Sequence, residues 1–342
     1  MQGEKTQEVT LKASKREVRL GIIGCGGIAR SHLQAYRSIE DLEVVGAADI
    51  NAAALESIAR DFRVGQCFTD VAAMLKAVRP DVALVTVPYP AHCTVVEQVA
   101  AHGIHVLCQK PMAGTMAEVD RMIQACESAK VMLGINENYR YLKPFVLAKQ
   151  AIQAGLIGEV VALHYEEVLF WKDIPKMYAN LNPFYCIEMA PHYFDSMCWL
   201  TGRRARRVFG AVRKFPALPT AGENAYYVHV ELEGGIIARV DDRVALPGRT
   251  IRDRVYIDGT KGSIAINAPE GDFAIYDAQS GKWTATALGD RSAYWIDSFR
   301  GPMADFIAAL HAGKDAPLPG SEYRHVMEMV FAVYEGREVV LG

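Results

Sequence analysis

The chain lacks the features that would place it in a membrane or staple it with disulfides. No uninterrupted apolar run approaches the roughly 20 residues that span a bilayer. The first 18 residues are polar and charged, without the apolar core of a secretory signal and without a twin arginine. These absences predict a cytoplasmic protein with a flexible N-terminal tail over residues 1–18. The seven cysteines are an odd number with no Cys-x-x-Cys pair, and several sit in apolar runs where a free thiol acts as a small hydrophobe. That pattern argues for a reducing compartment. No Cys/His cluster has zinc-ligand spacing, so no metal is expected. An excess of one charge is also missing: 37 basic against 40 acidic residues leave a formal net charge of −3. Such a balance gives no electrostatic footing for nucleic acid. The one dense basic run, Arg203-Arg204-Ala205-Arg206-Arg207, reads first as a solvated turn and second as an attractor of an anionic substrate group.

What is present is enough chain for two cores. From Arg19 to about residue 142, short apolar runs alternate with helical patterns. Strands are expected at 19–23, 42–48, 81–87, 105–108 and 131–134, with helices at 28–38, 52–61, 72–78, 93–101 and 116–129. Strands apolar on both faces and separated by helices predict a doubly wound parallel sheet covered on both sides. Beyond a helix at 144–154 the texture changes. Segments at 160–169, 207–213, 226–232, 235–244, 254–258, 263–267 and 272–277 are separated by Gly-Gly, Pro-Gly and Asp-Gly turns, which predicts a large, mainly antiparallel sheet. Helices at 295–312 and 322–335 close the chain. The expected division is therefore a domain at 19–142 and an α+β domain at 143–342, whose last helices can pack back on the first.

The first strand runs into Gly24-x-Gly26-x-x-Ala29. Gly24 permits a tight turn, Gly26 and Gly27 admit a pyrophosphate close to the backbone at Ile28, and small Ala29 allows close helix–strand packing. Free N–H groups and the positive end of the helix dipole would meet the phosphates. Asp49, at the end of the second strand, can accept hydrogen bonds from adenosine ribose hydroxyls and would repel a 2′-phosphate. This favours NAD over NADP, although Arg60 and Arg63 are close enough in sequence to alter that balance.

Further motifs follow in order: Val85-Thr86-Val87-Pro88 with His92, Cys108-Gln109-Lys110-Pro111, Asn138-Tyr139-Arg140-Tyr141 with Pro144, Leu156-Ile157-Gly158-Glu159-Val160, and Glu188-x-x-x-His192-x-x-Asp195. Together they resemble the glucose-fructose oxidoreductase / inositol dehydrogenase / rhizopine-catabolism (Gfo/Idh/MocA) family over nearly everything from Arg19 onward. The resemblance implies a dinucleotide held additionally by Pro88, His92, Gln109 and Lys110. It also implies catalysis by Lys110 and His192, a small carbohydrate or polyol as substrate, and a homodimer or homotetramer built on the C-terminal sheet. Lys110, at a strand end, would polarise the substrate hydroxyl oxygen. His192 would take its proton and Glu188, four residues earlier, would orient the imidazole. Arg140, Trp171, Tyr178, Asn182, Phe184 and Tyr185 are further candidates for substrate recognition.

Two residues depart from the family pattern. Gln109 stands in place of Glu and removes a negative charge beside Lys110, while its amide keeps the capacity to bond a ribose hydroxyl. Glu188 replaces Asp and reaches one methylene further. Pro191 also bears on this pair: were the helix to begin there, Glu188 would lie in the preceding loop. Three functions remain compatible with the chain: a dehydrogenase that exchanges NAD freely, an enzyme that keeps and recycles NAD within one turnover, and a non-catalytic NAD-responsive regulator.

Overall fold

A computed structural model describes residues 16–248 and 250–342. Most of the tail expected over residues 1–18 therefore lies outside the described residues, and Val18 already opens the first strand. Six parallel strands form the first sheet: β1 (Val18–Ile23), β2 (Leu42–Ala48), β3 (Cys67–Phe68), β4 (Val82–Val85), β5 (His105–Gln109) and β6 (Leu133–Asn136). Their spatial order is β3-β2-β1-β4-β5-β6, reversing between β1 and β4. The crossovers are helices α1 (Gly27–Tyr36), α2 (Ala52–Phe62), α3 (Val71–Val78), α4 (His92–Ala101) and α5 (Met116–Ala129). The doubly wound sheet predicted from apolar runs is present, and the runs are apolar for the reason given: all four residues of β4 are buried, as are five of six in β1. The two-residue β3 was missed, because so short a strand has no period to read.

After α6 (Lys143–Gln153), β7 (Val160–Val168), the single turn α7 (Lys176–Ala179) and α8 (Tyr185–Thr201) comes a run of strands. These are β8 (Ala205–Arg213), β9 (Ala225–Leu232), β10 (Ile236–Arg243), β11 (Ile251–Gly259), β12 (Gly262–Ala268), β13 (Gly271–Asp277) and β14 (Lys282–Thr286). Helices α9 (Arg291–Asp297), α10 (Arg300–His311) and α11 (Gly320–Tyr334) and the short β15 (Val339–Val340) complete the chain. The second sheet has the order β14-β13-β12-β11-β7-β10-β9-β8-β15, antiparallel except for the β7/β10 pair. Alternation along β10 sends Ala238 and Val240 into the core and leaves Ile237 and Arg239 exposed. The second sheet thus has one covered and one open face.

One feature of this half ties it to the first. Phe299, Met303, Phe306 and Ile307 of the α9–α10 region share a core with Leu20, Ile22, Ala29 and Leu107 of the first sheet. Helix α8 begins at Tyr185 and carries Pro191 in its interior, so of the two possible starts the earlier one holds and Glu188 lies within the helix. Proline there removes the N–H that would bond the Ile187 carbonyl. The stretch from Ala190 to Phe194 is wholly buried, and that packing outweighs the local preference.

Candidate active site

Between the carboxyl ends of the parallel strands and helices α8 and α9 lies a cleft of about 700 Å³. Open α/β sheets place ligands at this position, where the strand order reverses. Its first wall is the glycine turn. Gly24 adopts φ +95°, and a Cβ there would come within 2.6–2.8 Å of Val87 and Thr86 backbone. The hydroxyl of Thr86 donates to the Gly24 carbonyl at 2.7 Å, locking the turn against β4. By contrast, a Cβ on Gly26 or Gly27 would touch nothing, so both backbones face open cleft. Among the described residues no side chain caps the N-terminus of α1. An open cradle of glycines at an uncapped helix start fits the diphosphate of a dinucleotide. Ala29 does not reach the cleft. It is fully buried beneath the turn, in the packing role the small residue permits.

Asp49 stands beside this cradle. Its carboxylate accepts the Cys25 N–H at 2.6 Å and the Asn51 N–H at 2.8 Å, so it braces the glycine turn while lining the cleft. Arg60 and Arg63 do not share this space. They line a separate hollow with Phe62 and Leu42, none of whose residues borders the cleft. At the opposite wall Pro88 and His92 line the cleft. Both His92 ring nitrogens are engaged by carbonyls, Nε2 with Val87 at 2.8 Å and Nδ1 with Pro111 at 2.9 Å. The imidazole thereby ties the loop after β4 to the segment after β5. Burial pushes its proton affinity down, against the pull of those carbonyls.

Gln109 completes this wall. Its amide nitrogen meets His32 Nε2 at 2.7 Å and its oxygen accepts the Lys110 N–H at 2.9 Å. An amide NH₂ only donates, so His32 accepts through Nε2 and donates from Nδ1 to the Tyr36 hydroxyl, 2.7 Å away. Burial drives the His32 pKa down to about 3, consistent with a neutral ring against a neutral partner.

The chemistry-bearing wall brings together Lys110, Glu188 and His192, in pairings that differ from the expectation. Lys110 Nζ donates to the Glu188 carbonyl at 2.8 Å and to its carboxylate at 3.3 Å. His192 instead has its Nδ1 2.5 Å from Oε1 of Glu137, a residue 55 positions earlier. Glu188 orienting His192 is thus corrected: the i, i+4 spacing puts both on one face of α8, but each finds a closer opposite partner across the cleft. The longer Glu188 side chain reaches Lys110, and Glu137, fully buried at the end of β6, supplies the imidazole's carboxylate. Burial pushes the Glu137 carboxyl up. The His192 charge and hydrogen bond, the Tyr139 N–H and the Lys110 charge outweigh that and hold it below the usual carboxylate range. Tyr323 adds a further donor at 3.2 Å.

Behind this wall lies a buried polar layer. Tyr139 stacks on the His192 ring with centroids 4.1 Å apart and planes 15° from parallel. Its hydroxyl donates to Asp253 at 2.6 Å. Burial and the charges of Asp253 and Asp242 raise the Glu167 carboxyl well above its usual range. Asp253, paired with Arg291, is held below its own despite burial.

Five recognition candidates fall elsewhere. Arg140 is bound by both oxygens of Asp195 at 2.8 Å each and does not line the cleft, because the buried carboxylate of α8 takes the guanidinium fork. Tyr185 is buried with its hydroxyl on Asp242 at 2.8 Å, the acceptor a phenol needs once removed from water. Phe184 is core. Trp171, 37 % exposed, packs on Tyr178 at 5.7 Å but stands outside the cleft lining, as does Asn182. Tyr178 does line it, with Met177, Leu181, Met189, Trp295 and Phe299. Trp295 and Phe299 carried no motif that sequence reading could use. Glu137 offered one signal, an acidic residue directly after a buried strand, Leu133–Asn136, and before the Asn138-Tyr139-Arg140 motif.

Comparison with known proteins bears on the family and the fold. Residues 18–137 match an oxidoreductase family described as having an NAD-binding Rossmann fold, and residues 145–265 match the GFO/IDH/MocA C-terminal domain. The chain is 28 % identical to a D-apiose dehydrogenase of Paraburkholderia graminis, over 94 % of this chain and 88 % of that one. It is 25 % identical to a myo-inositol 2-dehydrogenase of Thermotoga maritima, over 94 % and 96 %. The fold superimposes with a TM-score of 0.85, at 20 % identity, on an oxidoreductase of Agrobacterium radiobacter solved with NAD+, L-tartaric acid and magnesium, covering 95 % of this chain and 98 % of that one. With both of its domain types matched in order, the chain belongs to the Gfo/Idh/MocA oxidoreductases, and its N-terminal half is their NAD-binding Rossmann domain.

Proposed function

We propose that the protein oxidises a secondary hydroxyl of a sugar or polyol, in the manner of a freely exchanging dehydrogenase. The observation that carries this reading is the convergence of Lys110, Glu188 and the Glu137–His192 pair on one cleft whose far end is an open glycine cradle. Gly24, Gly26, Gly27, Asp49 and the uncapped start of α1 would hold the dinucleotide, and bound NAD supplies the hydride acceptor. Glu137 keeps the proton of the neutral His192 on Nδ1, which leaves Nε2 as the base for the substrate hydroxyl. Lys110 donates to the same oxygen and stabilises the negative charge that grows there. Glu188 holds the ammonium in place and offers its second oxygen to a neighbouring hydroxyl. The family relationship and the dehydrogenases of apiose and inositol among its relatives support this substrate class.

The test is the appearance of NADH absorbance when purified protein and NAD meet a panel of pentoses, aldoses and inositols. Turnover on at least one of them is expected. Lys110→Ala should lose about 10³-fold in kcat; near-normal turnover would sink the assignment. The open face of the second sheet, with Phe209 and Ile237 exposed, further supports self-association of two copies through that face. A Phe209→Lys variant that sediments like wild type would remove this second element.

A further inference from the structure

We propose that Tyr139 is a positioning residue for the general base, its ring face stabilising the imidazolium that His192 becomes when it takes the substrate proton. The proposal rests on the oxidoreductase reading for the moment at which that charge forms. Its structural content, a ring that favours charge on His192, does not depend on turnover.

Tyr139 is nearly fully buried and its ring has almost no freedom to turn. The hydroxyl donates to Asp253 Oδ1, which also receives the Tyr193 hydroxyl at 3.4 Å, while Oδ2 of the same carboxylate pairs with Arg291. Trp295 and Tyr193 meet the ring edge-on, 88° and 78° from its plane, and Phe145 leans against it at 5.3 Å. Every aromatic neighbour is thus tilted or perpendicular. Among the described residues the imidazole alone lies parallel, at 4.1 Å. The negative face of a phenol ring attracts a cation, and the attraction strengthens where water is excluded. Neutral imidazole gains only dispersion from the stack; imidazolium gains the electrostatic part as well. Tyr139 and Glu137 therefore act at right angles, one through the ring face and the other through the ring edge. Both come from one short segment, because the Tyr139 N–H also bonds Glu137 Oε1 at 3.2 Å.

Other groups also bear on His192. Lys110 and Glu188 act from across the cleft and along α8. Tyr323 reaches it through Glu137, and Asp195, on the next turn, is neutralised by Arg140. None of them is altered by a change at position 139, so a difference between variants there belongs to the ring.

The experiment follows the His192 ring proton by NMR against pH in the full-length protein, assigned by its loss in His192→Gln. Tyr139→Phe removes the hydroxyl bond and keeps the ring, so its midpoint should match wild type. Tyr139→Leu should lower the midpoint by about 0.5–1 unit. A ring-fluorinated phenylalanine at position 139 keeps the shape, withdraws the negative face and should follow Leu. It carries the test if the Leu variant does not fold. In turnover the Leu variant should lose about three- to tenfold in kcat with KM unchanged, its acidic limb moving to lower pH. Equal midpoints in the Phe and fluorinated variants would overturn the proposal, even in an active enzyme. Conversely, absence of turnover with all panel substrates would defeat the oxidoreductase reading and leave the midpoint comparison standing.

Discussion

The two walls of the cleft are built on different principles. The wall proposed for the dinucleotide consists of near-consecutive residues whose backbone does the work: Gly24 because no side chain fits, Gly26 and Gly27 because their backbones face the open cleft. The opposite wall is assembled from side chains that meet over long stretches of chain. His192 and Glu137 are 55 positions apart and Tyr139 and Asp253 are 114 apart. A backbone cradle is specified by a local pattern and tolerates little change of residue. A wall made of side-chain pairs is specified only by the whole fold, and its pairings can be exchanged while the residue types persist.

The largest expected effect breaks the second wall and spares the first. Glu137→Gln keeps a hydrogen-bonding group but removes the charge that faces the imidazolium. We expect kcat to fall about 10³-fold, the scale for losing the orienting carboxylate of an acid–base histidine. NAD affinity, measured by fluorescence titration, should stay within twofold. Parallel losses in both would mean that Glu137 serves the fold and not the base.

Next comes the converse. Gly24→Ala forces a Cβ against the backbone of Thr86 and Val87 and leaves the catalytic side chains untouched. A loss of about 10² in NAD affinity is expected, with stability reduced by about 3 kcal/mol. Calorimetry showing wild-type NAD binding would contradict the role given to the turn.

How much was legible in the sequence follows the same division. The parallel sheet, the glycine turn and the position of Asp49 could be read because each depends on neighbours in sequence. Lys110 could be placed at a strand end for the same reason. The pairing of Glu188 could not: spacing along a helix states which residues share a face, not which of them has a better partner elsewhere. Arg140 and Tyr185 were drawn towards the cleft by their chemistry, but the buried carboxylates Asp195 and Asp242 claimed them. These carboxylates are spread along α8 and β10 with no pattern announcing that they are buried. Pro191 left two helix starts open, because the local rule for proline does not contain the tertiary packing that keeps it inside α8.

Acid should also separate the two halves. His32, in the first, has its proton affinity lowered by burial to a pKa of about 3 from 6.5. A depressed histidine contributes stability that is present above pH 6.5 and lost as pH falls towards 3. Asp242, in the second, is pushed up by burial to about 7 from 3.8, against the Tyr226 and Tyr185 hydroxyls. Its contribution is fully present below pH 3.8 and is lost as pH rises through 7. Between pH 6.5 and 5 the first half should lose about 2 kcal/mol that the second does not. Hydrogen exchange should then show β1 and β5 losing protection relative to β9 and β10. Uniform loss across both sheets would remove the distinction.

The smallest effect concerns the one substitution that sits on the boundary between the walls. Gln109 donates to His32 and braces the Lys110 backbone, so a Glu at this position would reverse the direction of a buried hydrogen bond. A carboxylate only accepts, so His32 would have to carry its proton on Nε2 and accept from the Tyr36 hydroxyl at Nδ1. Every donor would still find an acceptor, so the exchange of one network for its mirror costs little. Gln109→Glu should therefore change kcat by less than about tenfold while nitrogen shifts report the His32 tautomer moving from Nδ1–H to Nε2–H. A larger loss of activity with the tautomer unchanged would place the importance of Gln109 in its neutral charge beside Lys110, and the two walls would then be joined electrostatically at this residue.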